Sequence, residues 1–263
     1  MSNRLTANVS FLFEEFPFID RFDAAYAAGF GLVECHFPYG MPVDVLKGRL
    51  EKAAVRLTGI NTSPGDAGAG EWGLGGVPGR QRDFIAHFDE ALRYACRLGS
   101  NTIHVMAGVV ESSERPAARE TLLENLKYAA ARARDEGITL LLEPLNKRDR
   151  PGYLLSTTDE VAEIIASAGA RNLALLFDIY HVQIMEGDLT TRLERYRDII
   201  GHVQISAVPD RGEPDCSEVA LGHILGTLDA IGYSGLIGLE YRPRGSTTAG
   251  LGWIEGFASA LRK

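Results

Sequence analysis

Acidic side chains stand at the ends of several apolar runs in this chain. Asp178 closes the run LALLFD, and His181 follows three residues later. Glu143 closes ITLLLE and Glu240 closes GLIGLE, while Gln204 lies within GHVQIS. Asp178 taken alone is explained equally well as the N-cap of the next helix, a position that short polar side chains favour. Because the pattern recurs, we expect these side chains to converge on one site.

Three carboxylates gathered in one site repel one another unless a positive charge balances them. A divalent cation provides that charge, and ligands that are all oxygen atoms favour Mg²⁺ or Mn²⁺ over a structural zinc. The alternative is that each side chain is a helix cap or a satisfied polar group. A cation held by three carboxylates leaves the site net negative, so an acidic substrate would need a positive group nearby. Arg211, in PDRGEP, is the best candidate because a guanidinium binds a carboxylate bidentately.

Short aliphatic runs alternate with helical patterns along the whole chain. The predicted strands are Leu5–Ser10, Leu32–Phe37, Arg56–Asn61, Thr102–Ala107, Ile138–Glu143, Leu173–Asp178, His202–Ser206 and Leu236–Glu240. The predicted helices include Gln81–Leu98, Pro116–Glu136, Thr158–Ala168 and Glu218–Ile231. Eight such units without a Pro-rich or Ser-rich linker predict a single (β/α)8 TIM barrel over residues 1–263, in preference to an open doubly wound sheet. The carboxyl ends of barrel strands meet, which would bring the polar residues there together.

A long glycine-rich segment, TSPGDAGAGEWGLGGVPGR, follows the third predicted strand over residues 62–80. Loops of this length in compact domains are usually lids or binding loops. We interpret the segment as an active-site lid, with Glu71 and Trp72 near its middle and Glu71 as a substrate contact. The alternative is a mobile surface excursion.

Two further polar residues on predicted strands are weaker candidates. His104, in TIHVMAG, would either face the cavity and contact substrate or be a satisfied core histidine. Glu34, in LVECHF, would either orient a catalytic group or pair with an arginine.

The composition argues against several classes of function. A net charge of −8 disfavours binding to nucleic acid, which needs a basic face. No apolar stretch approaches the ~20 residues of a membrane span, and the N-terminus does not resemble a signal peptide. Three cysteines, an odd number without metal-type spacing, indicate reduced thiols and a cytoplasmic protein. A homo-oligomer is compatible with the sequence, which does not decide the oligomeric state.

Longer motifs carry a family resemblance that runs over essentially the full length. The segments are ANVSFLF, PFIDRF, LLLEPLN, FDIYHVQIMEGDL, GHVQIS, PDRGEP, IGLEYRPRG and TAGLGW. Together they resemble the hydroxypyruvate isomerase family within the xylose-isomerase-like barrels. The resemblance implies that the metal ligands are Glu143, Asp178, Gln204 and Glu240, and that Glu143 and Glu240 are the acid–base pair. It also implies that His181 and Arg211 hold substrate oxygens, as the matching positions do in related sugar epimerases.

The resemblance implies a metal-dependent isomerase that moves the carbonyl group of a small hydroxy-oxo acid by proton transfer through an enediolate. Two activities fall within the family, one on hydroxypyruvate and one on 2-oxo-tetronates, which have one more carbon. The segments NTSPGDAGAGEWGL and HVMAGVV look more like the 2-oxo-tetronate branch.

Three other functions remain as alternatives. A ketose 3-epimerase is disfavoured because many such epimerases carry a metal-binding histidine where this chain has Gln204. A nuclease of the endonuclease IV type would need a histidine-rich zinc cluster and a basic surface. A non-catalytic binding protein for small acids would use the same ligands without turnover.

Overall fold

Parallel strands close into a barrel in the order in which they occur along the chain, with the first paired to the last. The computed structural model describes residues 4–261. Within that range the strands are β1 (Leu5–Asn8), β2 (Leu32–Glu34), β3 (Arg56–Asn61), β4 (Thr102–His104), β5 (Thr139–Leu142), β6 (Leu173–Asp178), β7 (Ile200–Ile205) and β8 (Ile237–Leu239). The predicted (β/α)8 barrel is therefore confirmed.

Helices surround the barrel and cover the outward faces of the strands. They are α1 (Arg21–Ala27), α2 (Val43–Ala53), α3 (Gln81–Leu98), α4 (Arg115–Asp135), α5 (Thr158–Ala168), α6 (Ile179–Met185), α7 (Leu189–Tyr196), α8 (Leu221–Ala230), α9 (Thr247–Gly250), α10 (Trp253–Gly256) and α11 (Ala258–Leu261). Short 3-10 helices cover Phe18–Asp20, Pro38–Gly40, Ala67–Ala69 and Ser112–Glu114. In the part of the chain described, no helix combines the length and apolar character needed to cross a bilayer.

Helix packing follows the spacing of apolar residues. Helix α3 buries Phe84, Phe88, Leu92 and Ala95, which recur every three or four residues and so lie on one face. Helices α3 and α5 have the predicted bounds, and each ends on a glycine with a left-handed backbone. The predicted helix from Glu218 instead begins at Leu221 as α8, because the backbone N–H of Glu218 donates to the carbonyl of Val208.

Strand register places the polar residues side by side at one end of the barrel. Asp178 on β6 pairs with Gln204 on β7, and Gln204 pairs in turn with Gly238 on β8. On the other side of the closure, Asn8 on β1 pairs with Glu34 on β2. Strands β5 and β8 end one residue before Glu143 and Glu240, which therefore stand where the chain leaves the barrel for the following loop.

The glycine-rich segment 62–80 is packed against the barrel over part of its length. The backbone N–H groups of Gly75 and Gly76 donate to the carbonyls of Met106 and Ala107 over 3.0 and 2.6 Å. A Cβ atom on Gly75 would lie 2.8 Å from the Met106 carbonyl oxygen, so a side chain has no room there. This contact requires glycine, and it makes residues 73–76 a fixed wall of the barrel mouth. The interpretation of the segment as an active-site lid stays a prediction.

Candidate active site

A cavity of about 630 Å³ opens at the carboxyl ends of the strands. Its floor contains Glu143, His181, Gln204 and Glu240, and Trp72 of the glycine-rich segment forms part of its wall. This is the end of the barrel where active sites of the fold lie. The cavity is large enough for a small organic acid.

The four predicted ligands come together at the base of this cavity. Their side chains are buried, with residue exposures of 6% for Glu143, 1% for Asp178, 5% for Gln204 and 4% for Glu240. Three carboxylates in so little water are costly unless they are paired, hydrogen-bonded or bound to a metal. The contacts of each one therefore define what the site can do.

Glu240 is the most fully paired of the carboxylates. Its Oε2 accepts hydrogen bonds from Asn8 at 2.8 Å and Gln204 at 2.7 Å, and it lies 3.2 Å from Nε2 of His36. Its Oε1 accepts from Arg211. Burial raises the pKa of Glu240, but His36 and Arg211 outweigh burial and lower the pKa to about 2. Glu240 is thus ionised at neutral pH.

Glu143 has the opposite environment. Burial, together with the charges of Glu240 and Asp178, raises its pKa well above the usual range. Its Oε2 lies 3.5 Å from Nδ1 of His104, and its Oε1 lies 3.7 Å from Nε2 of His181. Among the described residues, Glu143 Oε1 has no hydrogen-bond partner. Glu143 therefore favours the protonated form unless a cation binds.

Asp178 stands between these two extremes. Burial raises its pKa to about 7, against the opposing charge of Arg211 and with a further increase from Glu240. Its Oδ1 accepts from the backbone N–H of Tyr180 at 2.9 Å, as an N-cap of α6 does. Its Oδ2 lies 3.3 Å from Nη2 of Arg211. Capping and participation in the acidic cluster are therefore compatible in this residue.

Arg211 enters the cavity from the loop after β7. Its guanidinium lies between the rings of Phe11 and Tyr180, 4.9 and 4.8 Å from their centroids, and pairs with Asp178 and Glu240. The aromatic faces favour a cation at this position. In this structure Arg211 neutralises the acidic cluster, a role that the sequence analysis did not anticipate.

A second arginine stabilises the loop that carries Arg211. Arg244 pairs with Asp210 at 2.9 Å and with Glu213 at 3.0 Å, on either side of Arg211. The loop after β8 is thereby tied to the loop after β7. This tie limits where the Arg211 guanidinium can reach.

His181 is a hydrogen-bond donor to the cavity. Its Nδ1 accepts from the backbone N–H of Asn146 at 3.0 Å, so in the neutral ring the proton is on Nε2. Burial and the nearby Arg211 lower its pKa well below the usual range, which keeps the ring neutral. His181, Glu143 and Asp178 place potential ligand atoms within 4.8 Å of one another, but a protonated Nε2 has no lone pair for a metal. The protonated nitrogen instead suits a substrate oxygen.

The remaining predicted contacts have different outcomes. His104 lines the cavity, and burial with the nearby His36 lowers its pKa to about 3, so it is neutral. Glu71 does not line the cavity, because its carboxylate accepts from the backbone of Asp66 and from Arg80 within the glycine-rich segment. The substrate contact of Glu71 stays a prediction.

Among the residues of the site that sequence reasoning missed are Asn8, His36 and Arg150. Asn8 and His36 contact Glu240, and their only signal was a position at the end of a predicted strand. Arg150 lies over the Trp72 ring, 3.5 Å from its centroid, at the cavity wall. No motif marked this contact between two loops.

The donor set of the site fits a divalent cation. Oε1 of Glu143 and Oε1 of Gln204 are buried oxygens without a hydrogen-bond partner in residues 4–261. Such atoms are costly unless a ligand satisfies them. With Asp178 and Glu240 they make an all-oxygen set of three carboxylates and one amide, which suits a hard ion.

The fold and this site define a class of protein. A family model for the xylose isomerase-like TIM barrel matches residues 22–260, and the chain belongs to that family. The chain is 46% identical over 253 residues to the 2-oxo-tetronate isomerase of Cupriavidus necator, covering 96% of this chain and 97% of the relative. It is 40% identical over 255 residues to the hydroxypyruvate isomerase of Escherichia coli, covering 96% of this chain and 98% of the relative. The chain is thus an isomerase.

A solved structure agrees with the sequence relatives over nearly the whole chain. The crystal structure of an AP endonuclease, family 2, from Brucella melitensis has a TM-score of 0.94 and 42% identity, and it covers 98% of this chain and 99% of that one. The two chains are therefore similar in backbone structure as well as in sequence.

Proposed function

We propose that the chain is a divalent-metal-dependent isomerase of small hydroxy-oxo acids, with a 2-oxo-tetronate as its preferred substrate. The observation that carries the proposal is the position of Glu143 and Glu240, two buried carboxyl groups that line one cavity. Without a cation their surroundings move their pKa values in opposite directions, and a bound cation would favour the ionised form of both. Two carboxylates facing one substrate are what proton removal and return at neighbouring carbons require.

The proposed cation is Mg²⁺ or Mn²⁺, held by Glu143, Asp178, Gln204 and Glu240. The two buried, unpartnered oxygens of Glu143 and Gln204 support this assignment. When bound, the ion would act as a Lewis acid that stabilises negative charge developing on substrate oxygens.

Proton transfer is assigned to Glu143 and Glu240. Moving a carbonyl group between adjacent carbons removes a proton from the carbon beside it and returns one to the former carbonyl carbon, through an enediolate of the substrate. The hydroxyl oxygen that becomes the new carbonyl loses its proton, and the former carbonyl oxygen gains one. A carboxylate within reach of each carbon performs these transfers. The reaction is reversible, so the carboxyl that accepts the proton in one direction donates it in the other.

The substrate is held by hydrogen-bond donors on opposite sides of the cavity. His181 would donate from Nε2 to a substrate oxygen, and Arg211 would pair with the substrate carboxylate. His104 is a further neutral contact on the cavity wall. In the complex, Arg211 would pair with the substrate carboxylate, while Asp178 and Glu240 would bind the cation. These contacts would replace the direct ion pairs of Arg211 with Asp178 and Glu240.

The preference for the four-carbon acid is supported by the 46% identical relative, whose name is 2-oxo-tetronate isomerase. The experiment is a substrate panel on purified protein that has been stripped with EDTA and refilled with Mg²⁺ or Mn²⁺. We expect activity on hydroxypyruvate and on a 2-oxo-tetronate, with the higher kcat/KM for the latter. A clear preference for hydroxypyruvate would place the chain in the three-carbon branch. Undiminished turnover without metal would refute the proposed dependence on a divalent cation.

The same panel tests the alternatives. Epimerisation of a neutral ketose, with neither acid reacting, would indicate a ketose 3-epimerase. Tight binding of both acids without turnover would indicate a binding protein. A cytoplasmic location and the lack of a nucleic-acid partner remain predictions from composition, and a homo-oligomer is compatible with the sequence.

A further inference from the structure

A buried polar pair lies behind the acidic cluster, between β2 and β7. Oε2 of Glu34 is 2.9 Å from Nε2 of His202, and the two residues are 5% and 7% exposed. Neither belongs to the proposed ligands or to the acid–base pair. Removing a carboxylate from water is costly unless it is hydrogen-bonded, so the contacts of Glu34 hold it in this position.

Glu34 contacts one of the proposed ligands directly. Nε2 of Gln204 donates to Oε1 of Glu34 at 2.9 Å and to Oε2 of Glu240 at 2.7 Å. A side-chain amide has two N–H donors, and here both are directed at carboxylate oxygens, which accept hydrogen bonds. The amide nitrogen is therefore identified by its partners, and the carbonyl oxygen Oε1 must point the other way.

The surroundings hold this arrangement in place. Nδ2 of Asn8 bridges the same two carboxylates, at 3.4 Å from Glu34 Oε1 and 2.8 Å from Glu240 Oε2. Gly238 faces the group from β8, and a Cβ atom there would lie 2.6 Å from Glu34 Oε1 and 2.8 Å from Cγ of Gln204. The absence of a side chain at this strand position makes room for the polar group.

We propose that Glu34, oriented by His202, is a positioning residue that directs the Gln204 carbonyl oxygen toward the cation site. The inference rests on the proposed function, because Gln204 Oε1 is useful there only as a ligand oxygen. In a histidine ligand, one hydrogen bond to the other ring nitrogen fixes which nitrogen faces the metal. The side-chain amide of a glutamine can rotate by about 180° and direct its N–H groups, in place of its oxygen, at the metal. An N–H group facing a cation is repulsive, so a glutamine ligand needs a partner that excludes the wrong orientation.

The test compares Mn²⁺ affinity in four proteins: the wild type, Glu34→Gln, Gln204→Glu and the double variant. Glu34→Gln has one acceptor oxygen in place of two, so Gln204 and His202 compete for it and the Gln204 amide is held less firmly. We expect the Kd for Mn²⁺, measured by electron paramagnetic resonance, to rise by about 10-fold or more, the scale for outer contacts of metal ligands. A carboxylate at position 204 has two equivalent oxygens and no wrong orientation. In the Gln204→Glu background, Glu34→Gln should therefore cause little or no further loss.

The positioning role has a second signature in the kinetics. At saturating Mn²⁺ the kcat of Glu34→Gln should return close to that of the wild type, because the reacting groups are intact. A matched control is Glu186→Gln, which alters a buried carboxylate that accepts from Thr158 and pairs with Arg192 away from the cavity. The control should leave the Kd for Mn²⁺ unchanged even if it lowers the melting temperature.

Four outcomes would overturn the inference. An equal loss of Mn²⁺ affinity from Glu34→Gln in both backgrounds would show a simple charge effect, and an unchanged Kd would show no effect on the ligand. A kcat that stays low at saturating Mn²⁺ would show that Glu34 acts in the chemical step. If the wild type itself bound no divalent cation, the proposed cation and this inference would both fall, which distinguishes that failure from the others.

Discussion

The backbone N–H of Asn146 donates to Nδ1 of His181 over 3.0 Å, and this contact determines which ring nitrogen carries the proton. A backbone amide can only donate, so Nδ1 must be the acceptor. The buried ring then presents an N–H group to the cavity floor, near Glu143 and Asp178. His181, three residues after Asp178, is therefore suited to donate to a substrate oxygen and not to serve as a fifth ligand beside the four proposed.

This finding predicts the nitrogen resonances of His181. Between about pH 6 and pH 8, Nε2 should be protonated and Nδ1 unprotonated, because burial keeps the pKa of the ring well below its usual range. Long-range ¹H–¹⁵N correlation spectra measure this, with His181→Asn to assign the signal among the six histidines. Adding Mg²⁺ should leave the tautomer unchanged. A proton on Nδ1, or loss of the Nε2 proton when metal binds, would contradict the assignment.

Replacing either member of the acid–base pair should abolish most turnover. Glu143→Gln and Glu240→Gln keep the shape of the side chain and remove its ability to transfer a proton. We expect kcat to fall by at least the ~10²-fold that is typical of losing a general base. Both residues are also proposed ligands, so metal occupancy must be measured in the same samples. Near-normal turnover by either variant with metal bound would remove that residue from its role.

The metal-free protein should become less stable relative to Asp178→Asn as the pH rises. Burial holds the pKa of Asp178 at about 7 in the folded state, above its usual value of 3.8. As the pH rises between these values, the unfolded chain releases its proton first, so the folded state loses stability. Melting temperatures of EDTA-treated protein from about pH 5 to pH 8 measure the difference between wild type and variant.

Metal should reverse this trend. Since cation and proton compete for the same carboxylates, the stabilisation by Mg²⁺ should increase with pH in the wild type and much less in Asp178→Asn. A constant difference in melting temperature across the pH range, with and without Mg²⁺, would show that Asp178 does not titrate in this window.

Arg211→Ala should affect charged and neutral substrates differently. Loss of a charge-assisted pair with the substrate carboxylate should lower kcat/KM for hydroxypyruvate and for a 2-oxo-tetronate by roughly 10- to 100-fold, equivalent to about 1.5–3 kcal/mol. The loss for dihydroxyacetone, which has no carboxylate, should be much smaller. Arg242→Ala is a matched control, because Arg242 also lines the cavity but makes no ion pair among the described residues. Equal losses on acids and on dihydroxyacetone would show that Arg211 acts only on the acidic cluster.

The glycine wall predicts opposite effects for two substitutions to alanine. Gly75→Ala should lower the melting temperature, since the new Cβ meets the Met106 carbonyl oxygen. Gly48→Ala should raise it, because Gly48 lies within α2 with open space around a new Cβ and alanine favours helix by up to about 1 kcal/mol. Differential scanning calorimetry measures both. A Gly75→Ala protein as stable as the wild type would show that the wall can move.

The barrel and the acidic cluster could be predicted from the sequence because the strand order determines which strand ends lie together. Parallel strands in chain order must bring their carboxyl ends together, so Glu143, Asp178, Gln204 and Glu240 meet whatever the loops do. The spacing of apolar residues was enough to place α3 and α5 at their observed bounds. No knowledge of side-chain contacts was needed for these conclusions.

The hydrogen-bond pattern could not be predicted in the same way. Asn8 and Glu240 are 232 residues apart, and their contact depends on closure of the barrel and on the rotamers of both side chains. The pairing of Glu71 with Arg80 in the same loop was likewise not indicated by any motif in the sequence. Glycines in that loop indicated flexibility, whereas close backbone packing is an equally good reason for glycine.

The division of the glycine-rich segment into a packed half and an exposed half matters for anyone who wishes to redesign this enzyme. A Cβ atom on Gly73, Gly75 or Gly76 would lie within 2.8 Å of a neighbouring atom, so substitutions at these three glycines should destabilise the protein. The tip at Asp66–Gly70 is exposed, and a Cβ atom on Gly70 meets nothing within 4 Å. Inserted peptides, affinity tags or a reporter domain should therefore be placed at the tip, where they would not disturb the packing of the barrel mouth.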